Sequence, residues 1–176
     1  MAAERRVEEL CRGRRLVLAR IYDVVKGSVK AFDALLHPGA VAVVAEENGR
    51  ILLEKQYRPV VGEWLYEIPA GTLEPGEEPE ETARRELVEE TGYEPGWLKR
   101  LVEFYTSPGV STEKLVVFAA GDLRWRGQKL EEDELIEVEW VKLEEALEMI
   151  RGGVIRDAKS IIGILYYHAG RVMGWL

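Results

Sequence analysis

The stretch GTLEPGEEPEETARRELVEETGY, residues 71–93, constrains the chain more than any other, because it crowds eight glutamates into a segment that also carries helix start and stop signals. Pro79 suits the first helical position and Gly92 the position just past the end, so the segment predicts a helix of about four turns from Pro79 to Thr91. At about 100° per residue, Ala83, Leu87 and Thr91 form one stripe for a core. Glu86, Glu89 and Glu90 converge on an adjoining stripe that reads as an exposed face, at i, i+3 and i+4. Like charges so placed repel by about 0.2–0.5 kcal/mol per pair, and more where the stripe is partly buried. Arg85 can pair with Glu89 one turn on, but one guanidinium does not neutralise three carboxylates. A hard divalent cation does, since Mg2+ prefers carboxylate oxygens, keeps some of its waters and bridges to substrate phosphates. Taken alone, the triplet leaves the alternative of ordinary solvated charge open.

The whole chain sets the frame for that choice. Its 176 residues are a one-domain length, and 47% hydrophobic with 32% charged residues is ordinary for a globular protein with a real core. A net charge of −8 offers no basic face for nucleic acid, so an anionic substrate needs metal ions or a few placed arginines. The opening MAAERRVEELCRG is too charged for a signal peptide and no apolar run approaches a membrane span, which makes a cytoplasmic location the expectation. Cys11 is the single cysteine, so neither an internal disulfide nor a cysteine zinc cluster forms, and Cys11 reads as a bystander.

Along the chain, strand-like and helix-like stretches alternate without repeats. A short amphipathic helix is expected over Ala2 to Cys11, followed by paired strands at 16–25 and 28–36 parted by Lys26-Gly27. The apolar run 40–46 turns through Glu47-Asn48-Gly49 into a strand at 50–57. Further strands are expected at 101–107, 114–121 and 135–141, and helices at 143–152 and from Asp157 to Val172. The pattern predicts an α/β sandwich with a mixed sheet and additional N-terminal antiparallel strands.

Gly71, five residues, Glu77, seven residues, then Arg85-Glu86-Leu87-Val88-Glu89-Glu90-Thr91-Gly92-Tyr93 resembles the Nudix box, Gly-x5-Glu-x7-Arg-Glu-U-x-Glu-Glu-x-Gly-U with U apolar, at all of its fixed positions. Tyr93 departs mildly, being aromatic where an aliphatic residue is more usual. The resemblance implies an α/β/α sandwich that hydrolyses a diphosphate linked to another moiety with Mg2+ or Mn2+. By position it makes Glu86 and Glu90 the main metal ligands, Glu89 a further ligand or water contact, and the Ala70 carbonyl another ligand. Glu77 and Arg85 support the site, and Gly71 allows the turn before it. This chemistry needs no histidine base; His37 and His168 are the only histidines, and His168 reads as a packing or solvent-facing residue of the C-terminal helix.

Outside the box, HPGAVAVV (37–44), QYR (56–58), EIPAG (67–71) and SPGVSTEK (107–114) are similar to the ADP-ribose pyrophosphatase subfamily, with Pro108 fifteen residues beyond Tyr93. The likeness covers roughly residues 37–141 and implies hydrolysis of ADP-ribose to AMP and ribose 5-phosphate. It makes Arg58 a substrate-phosphate contact, Thr72 a backbone contact, and Ser107 and Glu113 loop residues of the substrate site. The base falls in KLEEDELIEVEW (129–140), where Glu134 is the best match and Glu132 the second. Residues 1–36 correspond to a dimerisation element that exchanges strands between two copies, and residues 37–176 to the hydrolase domain. The subfamily commonly carries an arginine in the strand before His37-Pro38-Gly39, and here no basic residue lies between Lys30 and His37. Arg20 or Lys30 is the available substitute, and Tyr22 or Phe32 could stack on an adenine. Two other functions fit the same chain: cleavage of another nucleotide sugar such as GDP-mannose, and a non-catalytic nucleotide-binding module, which is expected to have lost box ligands that this chain retains.

Overall fold

The run Ala40–Ala45 is buried on both of its faces, as a strand must be when helices cover a sheet from two sides, and the main layers stack around it. The computed structural model describes residues 5–14, 16–132 and 134–176. Its strands are β1 (Arg6–Arg12), β2 (Val17–Val25), β3 (Ser28–Leu36), β4 (Ala40–Glu47), β5 (Arg50–Arg58), β6 (Glu63–Glu67), β7 (Ala70–Thr72), β8 (Tyr93–Glu94), β9 (Trp97–Tyr105), β10 (Lys114–Gly121), β11 (Arg124–Trp125) and β12 (Ile136–Lys142). The helices are α1 (Pro79–Thr91), between β7 and β8, and α2 (Leu143–Arg151) and α3 (Ala158–Met173) after β12.

The central sheet runs β12-β5-β4-β10-β9, with β6 paired to β5 and β7 to β4. It is mixed: β4 and β10 are parallel, and the other pairs antiparallel. Strand alternation sorts its side chains into two cores. Val41, Val43, Leu52, Val116 and Phe118 meet Ala83 and Leu87 of α1 on one face. Ala42, Val44, Ile51, Leu53 and Val117 meet Leu143 and Ala146 of α2 and Ile164 and Tyr167 of α3 on the other. The expected α/β/α sandwich is the observed one.

A split in this sheet makes room for a site. β4 pairs with β5 only at Glu46–Ile51 and Glu47–Arg50, whereas its other end, Ala40 to Ala42, pairs with β7. Beyond the hairpin, β5 parts from β4 and runs between β6 and β12, taking Glu54, Gln56 and Arg58 with it.

The N-terminal residues form a separate antiparallel sheet, β1-β2-β3, whose second turn places Lys26 and Gly27 at φ 52° and 75°, the left-handed pair that a two-residue hairpin needs. The helix expected over Ala2 to Cys11 is corrected to β1 from Arg6 onward, and Met1 to Glu4 lie outside the described residues. Its charged sequence tolerates a helix, but pairing with β2 from Arg6–Tyr22 to Arg12–Val17 decides the outcome. Arg20 is committed to Asp33 through bonds of 2.7 and 3.2 Å. Tyr22 donates its hydroxyl to Glu8 and carries the Arg6 guanidinium over its ring, whereas Phe32 is exposed. Backbone bonds from Leu35 N–H to Val110 and from Thr112 N–H to Leu35 tie β3 to the loop before β10. No helix among the described residues is long and apolar enough to cross a membrane.

Candidate active site

Helix α1 begins with a reciprocal capping box between Glu78 and Glu81 and ends on Gly92 at φ 79°, so its rotation about its axis is fixed at both ends. Ala83, Leu87 and Thr91 face the core as expected, and Glu90 joins them at only 4% exposure. The reading of Glu90 as an exposed helix-face residue is therefore corrected. Its carboxylate lies on the boundary between the apolar and acidic stripes, and Glu90 Oε2 accepts the Ala70 N–H at 2.8 Å. Gly71 makes this close approach of α1 to β7 possible, because a Cβ there would fall 1.9 Å from the Glu86 carboxyl carbon.

Arg85 organises the outer carboxylates. Its Nε and Nη2 donate to the two oxygens of Glu77, both at 2.9 Å, and its Nη1 donates to Glu86 at 2.8 Å and Glu89 at 3.0 Å. Nη2 also reaches the Thr72 carbonyl at 3.4 Å. The Arg85 fork, with the Thr82 hydroxyl and the Glu74 N–H, holds the Glu77 carboxyl at about 2.

The inner carboxylates lack such relief. Burial first, then the charge of Glu54, pushes Glu90 well above the ordinary carboxylate range. Burial also raises Glu54, to about 8, with Lys159 and Arg58 opposing the rise and Glu67 and Glu134 adding to it. Glu86 is raised by burial against the pull of Arg85.

On the far wall, Arg58 forks onto Glu67 through Nε at 2.9 Å and Nη2 at 2.7 Å, and Lys159 donates to the same carboxylate. Burial would raise Glu67, yet these two cations outweigh it and hold the carboxyl at about 2.

These groups surround two adjoining clefts. One of about 520 Å3 is lined by Arg58, Ala70, Thr72, Arg85, Glu86, Glu90 and Glu134, so it gathers most of the residues singled out from the sequence. The other, of about 480 Å3, shares Arg58, Ala70, Gly71 and Thr72 and adds Glu67, Thr106, Glu113 and Lys159. Ser107 lines neither; its carbonyl accepts the N–H groups of Val110 and Ser111 and shapes the loop, and Thr106 takes the cleft position, donating to Glu113. Glu89 stays at the rim on Arg85, and Glu132 sits in a turn outside both clefts. The loop bearing Glu134 is docked on α1 by Gln128, whose side chain donates to the Glu90 carbonyl at 2.6 Å, and by Lys129 N–H to the Glu89 carbonyl at 2.9 Å. Glu134 itself accepts the Glu131 N–H.

Sequence reasoning missed Glu54, Gln56, Glu67 and Lys159. The available signal was alternation in RILLEKQY, where Leu52, Glu54 and Gln56 share one face. Glu54 Oε1 and Gln56 Oε1 are buried without a hydrogen-bond partner among the described residues. Two buried carboxylates and an orphan oxygen are a donor set that fits a hard divalent cation. Among the described residues no three acidic, histidine or cysteine side chains are gathered around one point, and Arg85 is bonded to both Glu86 and Glu89.

Comparison with known proteins bears on what such a cleft does. The model of the NUDIX domain matches residues 35–161. The chain is 44% identical over 147 residues to an ADP-ribose pyrophosphatase of Bacillus subtilis (strain 168), covering 82% of this chain and 80% of that protein. It is 40% identical over 157 residues to a methanol dehydrogenase activator of Bacillus methanolicus, covering 86% and 85%. A crystal structure of an ADP compounds hydrolase superposes with a TM-score of 0.83 over 100% of this chain and 99% of that one, at 19% identity, which speaks to the fold.

Proposed function

The chain belongs to the NUDIX domain family, and from that premise we propose that it is a metal-dependent pyrophosphohydrolase that converts ADP-ribose and water to AMP and ribose 5-phosphate. The observation that carries the reading is the meeting of Arg58, Glu86, Glu90 and Glu134 around one cleft. The ADP-ribose pyrophosphatase relative, at 44% identity, supports the substrate.

Glu86, Glu90 and the Ala70 carbonyl, with Glu89 at the rim, would hold Mg2+ or Mn2+. When bound, the ion supplies charge for the diphosphate oxygens and lowers the pKa of water. The protein's own groups do the rest. Arg58, oriented by its fork to Glu67, lines the cleft as the guanidinium for a diphosphate oxygen. Arg85 fixes Glu86 and Glu89, and the Thr72 backbone borders the substrate. Glu134, with Glu132 as the second candidate, accepts the proton of the attacking water as the bridging P–O bond breaks. The bonds from Gln128 and Lys129 to α1 hold the loop of Glu134 against the cleft that Glu134 lines. Glu113 lines the adjoining cleft, with Ser107 shaping the loop behind it.

We further propose that residues 1–36 are a dimerisation element, with residues 37–176 as the hydrolase domain. The support is exposed apolar side chains on both faces of the N-terminal sheet, Val7 and Phe32 on one and Leu18 and Val29 on the other. A second copy contributing its own strands would cover them. Product analysis with ADP-ribose, GDP-mannose and a dinucleotide panel, in Mg2+ and in EDTA, tests the reaction. AMP and ribose 5-phosphate from ADP-ribose, only with metal and faster than from the others, is the expected result. Faster cleavage of another nucleotide moves the substrate, and no cleavage of any removes the enzyme.

A further inference from the structure

Strand β5 carries two buried oxygens that nothing among the described residues satisfies. Glu54 and Gln56 are 1% and 5% exposed, and, being two residues apart, they point to one face of the strand. Glu54 Oε1 and Gln56 Oε1 have no hydrogen-bond partner among the described residues. Buried polar oxygens in native proteins are paired, and an unpaired ionised carboxylate is the most costly exception. The face in question looks toward α1: Leu52, the preceding residue on it, packs with Ala83 and Leu87, and no charge acts on Glu90 more strongly than that of Glu54. Gln56 shares a cleft of about 510 Å3 with Arg58 and Glu134. The cations within reach, Arg58 and Lys159, are both bonded to Glu67 instead.

We propose that Glu54 is a ligand of the divalent cation, set across from Glu90, so that the ion is held between strand β5 and helix α1. This rests on the metal-dependent reading of the site and adds to it a ligand from outside the helical motif. A Mg2+ or Mn2+ ion takes carboxylate oxygens and keeps waters, so one ion answers both orphans: Glu54 supplies an oxygen to the metal, and Gln56 Oε1 accepts from a metal-bound water. Neither arginine can do this, since Arg85 is occupied by Glu77, Glu86 and Glu89 and Arg58 by Glu67.

The test is titration of the metal-free protein with Mn2+ alone, by calorimetry and by the electron spin resonance of free Mn2+, in wild type, Glu54→Gln and Glu54→Asp. Glu54→Gln keeps the shape and removes the charge. It is expected to melt in EDTA at or above the wild-type temperature and to bind Mn2+ about 10- to 100-fold more weakly. Glu54→Asp, which keeps the charge but shortens the reach, is expected to fall between the two. Equal affinity in wild type and Glu54→Gln overturns this inference alone, and should that variant fail to fold, equal affinity in Glu54→Asp does so. A wild-type protein that binds no Mn2+ overturns the metal-dependent reading together with it.

Discussion

Glu54 and Glu67 stand directly opposite each other on the β5–β6 ladder, both buried, yet they live in opposite electrostatic states. Glu67 receives a bidentate Arg58 and Lys159 and is held at about 2; Glu54 receives neither and is pushed to about 8. Burial is common to the two, so it does not decide; the partners do. The difference divides the cleft into a wall that is electrically complete and positions Arg58, and a wall of Glu54, Glu90 and Glu134 that is short of positive charge. A complete wall needs nothing further from solution, whereas a deficient wall beside it has the character of a cation site.

The largest effects are expected from removing carboxylates from the deficient wall. Glu134→Gln is expected to lower kcat by about 100- to 10,000-fold with little change in KM, since the base acts only in the reaction step; steady-state kinetics with unchanged kcat would remove Glu134 from the mechanism. Glu90→Gln is expected to cost about 100- to 1,000-fold in turnover while the metal-free protein melts no lower than wild type. The variant relieves a buried repulsion, so a large loss of metal-free stability would mean that Glu90 serves the fold and not a cation.

The complete wall should respond in the other sense. Glu67→Gln strands Arg58 and Lys159 beside a neutral amide, and urea unfolding is expected to show a loss of about 3 kcal/mol, together with a higher KM as Arg58 loses its orientation. Wild-type stability with normal KM would dissolve the contrast between the two glutamates.

The smallest effect is in pH. Glu67 has a folded value below its ordinary 4.5, so its contribution is present above about 4.5 and is lost as pH falls toward about 2. Glu54 has a folded value raised to about 8, so its contribution is fully present below about 4.5 and is lost as pH rises through about 8. Melting temperatures in EDTA should therefore decline on the alkaline side from Glu54 and on the acid side from Glu67. Saturating Mg2+ should remove the alkaline decline alone.

How far the sequence could be read follows the same line between local and tertiary causes. α1 was legible because Pro79 and Gly92 mark its ends and a full turn periodicity lies between them. The β4–β5 hairpin was legible from its apolar runs and its Asn48-Gly49 turn. β1 was not, since its charged residues suit a helix until β2 offers a partner. β6 and β7 are five and three residues long and exist through pairing with β5 and β4, which no local pattern announces. Within the site, the spacing of Arg85, Glu86, Glu89 and Glu90 showed which helix would carry it. The burial of Glu90 depends on how closely Gly71 lets α1 approach β7, and the isolation of Glu54 depends on where Arg58 and Lys159 turn. Both are tertiary facts.

The most direct measurement is an anomalous difference map from crystals of the protein grown with Mn2+. One strong peak is expected in the cleft between Glu54 and Glu90, with Arg85 still bonded to Glu77. A peak on the Arg85 carboxylates away from Glu54, or no peak in the cleft at saturating Mn2+, would contradict a cation held between Glu54 and Glu90.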